Sequence, residues 1–246
     1  MKAVGIIPAR WASTRLPGKA LVPIAGKSML RRVWERASAA RELSDVIIAC
    51  DEQRVLDAAV AFGAHAVMTK IDHPSGSDRV AEAAAGTDAG IIVNIQCDEP
   101  LIQPGLIDAL VLDLKADPGC VLATPVKRIS GVEEFHNPNV VKVVVDRNCC
   151  ALYFSRAPIP FKRDGAADTG KYFKHLGIYA YRREFLFEFC RWPKSFLEQE
   201  EALEQLRVLE AGFKIKTVET SMEAIGVDTR EDVIRVETYM KANGLQ

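Results

Sequence analysis

The sequence predicts an α/β fold with a mostly parallel sheet and a small antiparallel insertion. Two patterns carry this expectation. In the first half, short apolar runs alternate with stretches of helical length, which is the pattern of βα units joined by right-handed crossovers. Near residue 130 the alternation gives way to strand-like runs separated by turns. The early runs are almost continuously apolar, as expected where both faces of a sheet are covered.

The elements follow in order. "AVGII" opens the chain as a strand, and "MLRRVWERASAA" follows as a helix. "DVIIAC" pairs with "EQRVLDAAVAFG", "AHAVMT" with "SDRVAEAAAG", and "GIIVNIQ" with "PGLIDALVLDLKAD", each a strand and its helix. "CVLATPV" is the next strand. "NVVKVVVD" and "CALYFS" then meet around "RN" as a hairpin. After the polar loop "FKRDGAADTGKYFK", "HLGIYAYR" reads as one strand. Helices are expected at "EFLFEFCRW" and "EEALEQLRVLEAG", with capping-box spacing at Ser195 and Glu198. A strand "KIKTVE" precedes a last helix in "GVDTREDVIRVETYMKA", where Thr229 and Asp232 have S/T-x-x-D/E spacing. No repeat or linker interrupts the chain. It reads as a single domain, 1–246, with an inserted lobe at about 130–190.

Composition narrows the function classes. The chain has 246 residues, enough for a sizeable core, and a formal net charge of -1. No overall field recruits nucleic acid or an anionic membrane, so any basic site is local. No apolar run approaches a membrane span. The run before Pro8 is too short for a signal-peptide core, which predicts a cytoplasmic protein. None of the six cysteines forms a C-x-x-C pair, so the spacing predicts reduced, mostly buried thiols and no zinc site.

Three segments carry chemistry. The stretch "IIPARWASTRLPGK" leaves the first strand at its carboxyl end, where open α/β sheets bind ligands. It lacks the G-x-G-x-x-G of a dinucleotide site, and "GKS" at 26–28 lacks the preceding glycine of a Walker loop. Its cations Arg10, Arg15 and Lys19 suit a triphosphate, against the plainer reading of a basic turn. "NIQCDEP" ends an apolar strand in Asp98 and Glu99, and "GVDT" places Asp228 just before a helix. Two such carboxylates suit one Mg²⁺ bridging phosphates, or else simply acidic helix starts. "DHPSGSDR" is a helix entry with Ser77 as the expected cap, or a base-recognition loop with Arg79 as a further contact.

Taken together in this order, "IIPARWASTRLPGK", "DHPSGSDR", "NIQCDEP", "NPNVVKVV", "ALYFSRAPIP", "HLGIYAYR", "LEQLRVLE" and "GVDT" resemble the 3-deoxy-manno-octulosonate cytidylyltransferase family. The resemblance runs over nearly the whole chain. It implies a Rossmann-like nucleotidyltransferase fold with a dimerisation lobe, hence a homodimer. It also implies CMP transfer from CTP to the sugar acid 3-deoxy-D-manno-octulosonate (Kdo) with Mg²⁺, for lipopolysaccharide assembly. By motif match, Arg10 and Lys19 face the CTP phosphates, Arg15 either joins them at the nucleotide or only holds the loop, and Ser75, Gly76, Arg79 and Gln96 surround the nucleotide. Asp98 and Asp228 hold the metal. Gln96, Arg156, His175, Tyr179, Glu204 and Gln205 face the sugar acid. Cys97 stands where the family usually has glycine, through either a tolerated thiol or a reshaped sugar pocket. The alternatives are an 8-amino analogue of Kdo or another acidic sugar as substrate, and a catalytically silent nucleotide-binding protein. Retention of both acids argues against the silent reading.

Overall fold

A computed structural model describes residues 1–13, 15–164 and 168–245. Thr14 of the first loop and residues 165–167 of the polar loop lie outside the described residues. In chain order the strands are β1 Ala3–Ala9, β2 Pro23–Ile24, β3 Lys27–Ser28, β4 Leu43–Cys50, β5 His65–Met68, β6 Ile91–Asn94, β7 Cys120–Arg128, β8 Lys142–Val145, β9 Ala151–Ser155, β10 Phe173–His175, β11 Tyr179–Arg182 and β12 Lys214–Glu219. The α-helices are α1 Met29–Ser38, α2 Gln53–Ala61, α3 Gly76–Ala85, α4 Pro104–Ala116, α5 Val132–His136, α6 Arg183–Phe189, α7 Phe196–Glu201, α8 Leu206–Glu210 and α9 Arg230–Ala242. The chain divides into two compact units, Met1–Asp108 with Glu223–Gln246, and Ala109–Met222.

In the first unit, β5, β4, β1 and β6 form a parallel sheet in that order, as the βα alternation predicts. Gly5 of β1 pairs with Val46 on one side and Val93 on the other. Ile6, Ile7, Ile48 and Val93 are fully buried, which explains the unbroken apolar runs. The chain returns to this unit at its end. Val233, Val236 and Met240 of α9 join Leu16, Ile24, Met29, Leu101 and Val227 in one core cluster. This cluster clamps the first loop, through Leu16, to the segments that follow β6 and precede α9. The tripeptide "GKS" belongs to a tight hairpin joining β2 and β3. Ala25 and Gly26 both have positive φ there, 43° and 82°, as the turn requires.

In the second unit, β7 pairs antiparallel with β10 and β11 and parallel with β12. β8 pairs antiparallel with β9 and with β10, which gives the expected antiparallel lobe. Two sequence elements are broken. "HLGIYAYR" is two strands: His175 ends β10, and β11 starts at Tyr179. The second, "EEALEQLRVLEAG", is interrupted at Ala202, whose φ of 50° ends α7. The capping boxes at Ser195/Glu198 and Thr229/Asp232 both form. The expected cap Ser77 is displaced. α3 starts two residues earlier, and Ser75 Oγ accepts the Asp78 N–H at 3.2 Å while donating to its carboxylate at 2.7 Å. Ser77 is therefore buried inside the helix.

Candidate active site

The first loop is built to hold cations at a fixed place. Trp11 N–H donates to Asp51 Oδ1 at 2.8 Å, and Leu16 anchors the far side in the core. Gly18 has φ of 66°, and a Cβ there would meet the Trp11 ring at 3.1 Å, so the turn requires glycine. Lys19 follows directly and opens a short 3₁₀ turn.

Lys19 is the centre of the site. Its Nζ donates to Asp98 Oδ2 at 2.6 Å and to Asp228 Oδ1 at 2.7 Å. Arg15 pairs with the other oxygen of Asp228 at 2.9 Å. The two acids come from distant parts of the chain. They are brought together because Val227 N–H donates to the Asp98 carbonyl at 2.9 Å, next to the Val227 side chain in the core. Asp228 is then fixed at the start of α9, where the Asp232 carboxylate accepts its N–H at 3.1 Å. Burial alone lowers the Lys19 pKa, but the Asp98 and Asp228 carboxylates outweigh it and raise it above the ordinary value. Lys19 is therefore a fully charged ammonium held between two carboxylates.

These residues line a polar cavity of about 390 Å³. Every nucleotide, phosphate and metal residue expected from the sequence reaches it: Arg10, Arg15, Lys19, Ser75, Gly76, Arg79, Gln96, Asp98 and Asp228. Arg10 is exposed. Ser75 and Gly76 put the N-terminal end of α3 on the cavity wall, where backbone N–H groups and the helix dipole favour anions. Arg79 is almost wholly buried, with Nη1 donating to Thr69 Oγ1 at 2.6 Å and Nη2 to Asp51 Oδ2 at 2.9 Å. Asp51 thus joins Arg79 to the Trp11 backbone, and it is a supporting residue the sequence reading missed. The available signal was an acid directly after the apolar run "DVIIAC", the same position that marks Asp98. His73 also lines the cavity, held by the Glu82 carboxylate.

Cys97 lines the cavity while packing against the core cluster. Its φ is not positive, so glycine's conformational freedom is not needed there. Burial, with Asp98 adding to it, pushes its thiol up to about 12. Beside it, burial and then Asp98 push Glu99 up to about 8, and Glu99 Oε2 is buried without a hydrogen-bond partner.

The fit of a divalent cation can be judged from the donors. Asp98 and Asp228 offer hard carboxylate oxygens around a point that already accommodates a positive charge, the Lys19 ammonium. This donor set suits Mg²⁺.

Of the expected sugar-acid residues, Arg156, His175, Tyr179, Glu204 and Gln205 lie in the second unit, whereas Gln96 lies in the first, on the cavity wall, with its Nε2 donating to Asn94 Oδ1 at 3.0 Å. Tyr179 O–H donates to Gln205 Oε1 at 3.2 Å, and the His175 and Tyr179 rings are 5.4 Å apart. The Glu204 charge acts on Tyr179, whose pKa burial already raises strongly. Gln205 Nε2 is buried without a partner, so it has hydrogen-bonding capacity to offer a ligand. His175 is partly buried, and burial pushes it down to about 3. Arg156 is held by the backbone carbonyls of Glu201, Ala202 and Pro138, at 2.7, 3.4 and 3.0 Å. The structure thus gathers His175, Tyr179, Glu204 and Gln205, with Arg156 tied to the chain just before them.

A parallel α/β sheet with cations, a helix N-terminus and paired acids around one cavity defines a nucleotidyl-transfer class of protein. The family described as Cytidylyltransferase matches residues 4–217. A 3-deoxy-manno-octulosonate cytidylyltransferase from Solibacter usitatus is 54% identical, covering 100% of this chain and 97% of its own. One from Geobacter metallireducens is 51% identical, covering 96% of each. A solved structure of CMP:2-keto-3-deoxy-manno-octonic acid synthetase complexed with CTP superposes with a TM-score of 0.94 at 44% identity, covering 99% of this chain and 100% of that one. The chain belongs to the cytidylyltransferase family, among its 3-deoxy-manno-octulosonate members.

Proposed function

We propose that this chain transfers CMP from CTP to the anomeric hydroxyl of Kdo, releasing pyrophosphate and activating the sugar for lipopolysaccharide assembly. The observation that carries this reading is the Lys19 ammonium joined to Asp98 and Asp228 in a cavity lined by Arg10, Arg15 and the start of α3. The CTP-bound relative supports the choice of nucleotide, and the named relatives support the choice of sugar.

The hydroxyl oxygen attacks the α-phosphorus in line, forming a sugar O–P bond as the bond to the β-phosphate oxygen breaks. The hydroxyl proton passes to solvent water, and pyrophosphate carries away the electron pair of the broken P–O bond. Lys19 and Arg10 neutralise the charge that builds on the leaving group, and the α3 N-terminus holds phosphate oxygens. Arg156 supplies positive charge for a sugar carboxylate, while Glu204 and the free N–H of Gln205 serve sugar hydroxyls. Asp98 and Asp228 would hold Mg²⁺, which supplies Lewis-acid polarisation of phosphate and hydroxyl oxygens. His175, neutral at physiological pH, orients rather than titrates. We read the protein as a cytoplasmic homodimer, on the family resemblance. Sedimentation velocity tests the dimer.

The deciding experiment measures pyrophosphate release from CTP and Mg²⁺ with Kdo, 8-amino-Kdo and sialic acid. Release with Kdo at the highest kcat/KM is expected. Equal or better release with 8-amino-Kdo or sialic acid would reassign the substrate, and no release with any sugar would leave a nucleotide-binding protein.

A further inference from the structure

We propose that Asp117, Cys120 and Cys150 form a binding site for a thiophilic divalent cation of the zinc class, separate from the oxygen-lined acids of the nucleotide cavity. The three side chains come from different places in the second unit. Asp117 follows α4 and Cys120 opens β7, where it pairs with Lys214 of β12. Cys150 precedes β9 and bridges to Lys216 of β12. The cysteines therefore belong to the two segments that pair with β12. Because Cys150 lies 30 residues beyond Cys120, no sequence spacing signals the cluster.

The geometry is that of a metal face. One ligand atom from each residue lies within 4.8 Å of the other two. The sulfurs are 3.7 Å apart. With Zn–S bonds of about 2.3 Å, a tetrahedral centre separates two sulfurs by about 3.8 Å. Cys120 and Cys150 are buried, whereas the Asp117 side chain is 35% exposed, which leaves an entry path and room for a water in the fourth position. Asp117 is oriented by the Gly119 N–H, at 3.1 Å from Oδ1. Its other oxygen lies 3.6 Å from Lys216 Nζ. That ammonium also donates to the Asn148 carbonyl at 2.8 Å, so it stays anchored when a dication takes over Asp117.

Two thiols in contact could alternatively oxidise to a disulfide. That requires the sulfurs to close to about 2.05 Å, and it gives the adjacent carboxylate no role. A cation uses all three groups at the spacing they already have.

The test is zinc titration of the reduced, full-length protein against a chromogenic chelator, with cobalt as a spectroscopic probe. One zinc per chain is expected, along with a thiolate-to-cobalt charge-transfer band. Cys120→Ser and Cys150→Ser should each weaken zinc binding by roughly 100-fold or more, while Cys190→Ala leaves it unchanged. Lys216→Met keeps every ligand and removes a competing cation, so it should tighten binding by about 5- to 10-fold. Zinc binding that survives in both serine variants would overturn the proposal, as would absence of the charge-transfer band. Loss of two hydrogens under a mild oxidant without metal retention would assign the pair to a disulfide instead. Should the serine variants fail to fold, unchanged affinity in Lys216→Met would be equally decisive against it.

Discussion

Lys19 does two things that one cation can do only at this position. It neutralises two carboxylates at 2.6 and 2.7 Å, and it faces the cavity where phosphates are expected. Lys19→Met should lower kcat/KM for pyrophosphate release by roughly 10²- to 10³-fold, the scale of losing one charged transition-state donor. A loss below tenfold would assign Lys19 a structural role only. Cys97 tests the opposite kind of residue. Its backbone is ordinary and its thiol packs on the core, so Cys97→Gly should leave the KM for the sugar unchanged and cost about 1 kcal/mol of stability. A shifted sugar KM would instead mean that the thiol shapes the sugar pocket. His175 has a pH signature. Its folded pKa of about 3 lies below the unfolded value of about 6.5, so between these values the unfolded chain binds the extra proton. The stability that neutral His175 contributes is present above about pH 6.5 and is lost as pH falls toward 3. His175→Gln should flatten that acid limb in denaturant midpoints measured against pH, and an unaltered slope would show that His175 is not the group responsible.

At the scale of elements, α9 matters more for where it starts than for its length. Thr229 Oγ1 accepts the Asp232 N–H at 3.3 Å, and the Asp232 carboxylate accepts the N–H of both Thr229 and Asp228. The capping box therefore fixes the residue that carries the second site acid. Thr229→Ala should cost about 1 kcal/mol of stability by loss of the cap and should weaken Mg²⁺-dependent turnover more than nucleotide affinity. Equal losses in both would show that the cap supports the whole loop rather than Asp228. Several elements were legible from pattern alone. The parallel βα units follow from their apolar runs, and both capping boxes follow from spacing. The two broken elements were not. The residues from His175 to Arg182 carry a continuous strand pattern, yet Thr124 Oγ1 lies within hydrogen-bonding distance of His175 Nε2 and of the Leu176 and Ile178 carbonyls. Contacts with β7 thus divide the run. Ala202 breaks its helix in a left-handed conformation that alanine composition does not announce.

For the whole molecule, the cavity is assembled from segments around residues 10, 75, 98 and 228, and the proposed function rests on that assembly. CTP with Mg²⁺ should therefore stabilise the fold through linkage. At 100 times Kd the gain is about 2.7 kcal/mol, or roughly 5–10 °C in Tm for a chain of this size. Thermal melts with and without EDTA check this, and CTP stabilisation unchanged by EDTA would remove the metal from nucleotide binding. No helix among the described residues is long and apolar enough to cross a membrane.

The sequence by itself determined the α/β class, the segments that carry Arg10, Lys19, Asp98 and Asp228, and the family motifs, because these are local patterns of polarity and spacing. Only the tertiary structure decided that Lys19 sits between both acids, that Asp51 braces the first loop through Arg79 and Trp11, and that Cys120 and Cys150 meet beside Asp117. Those contacts join residues from 28 to 209 positions apart, so they exist only once strand register and the shared core have fixed where each side chain points.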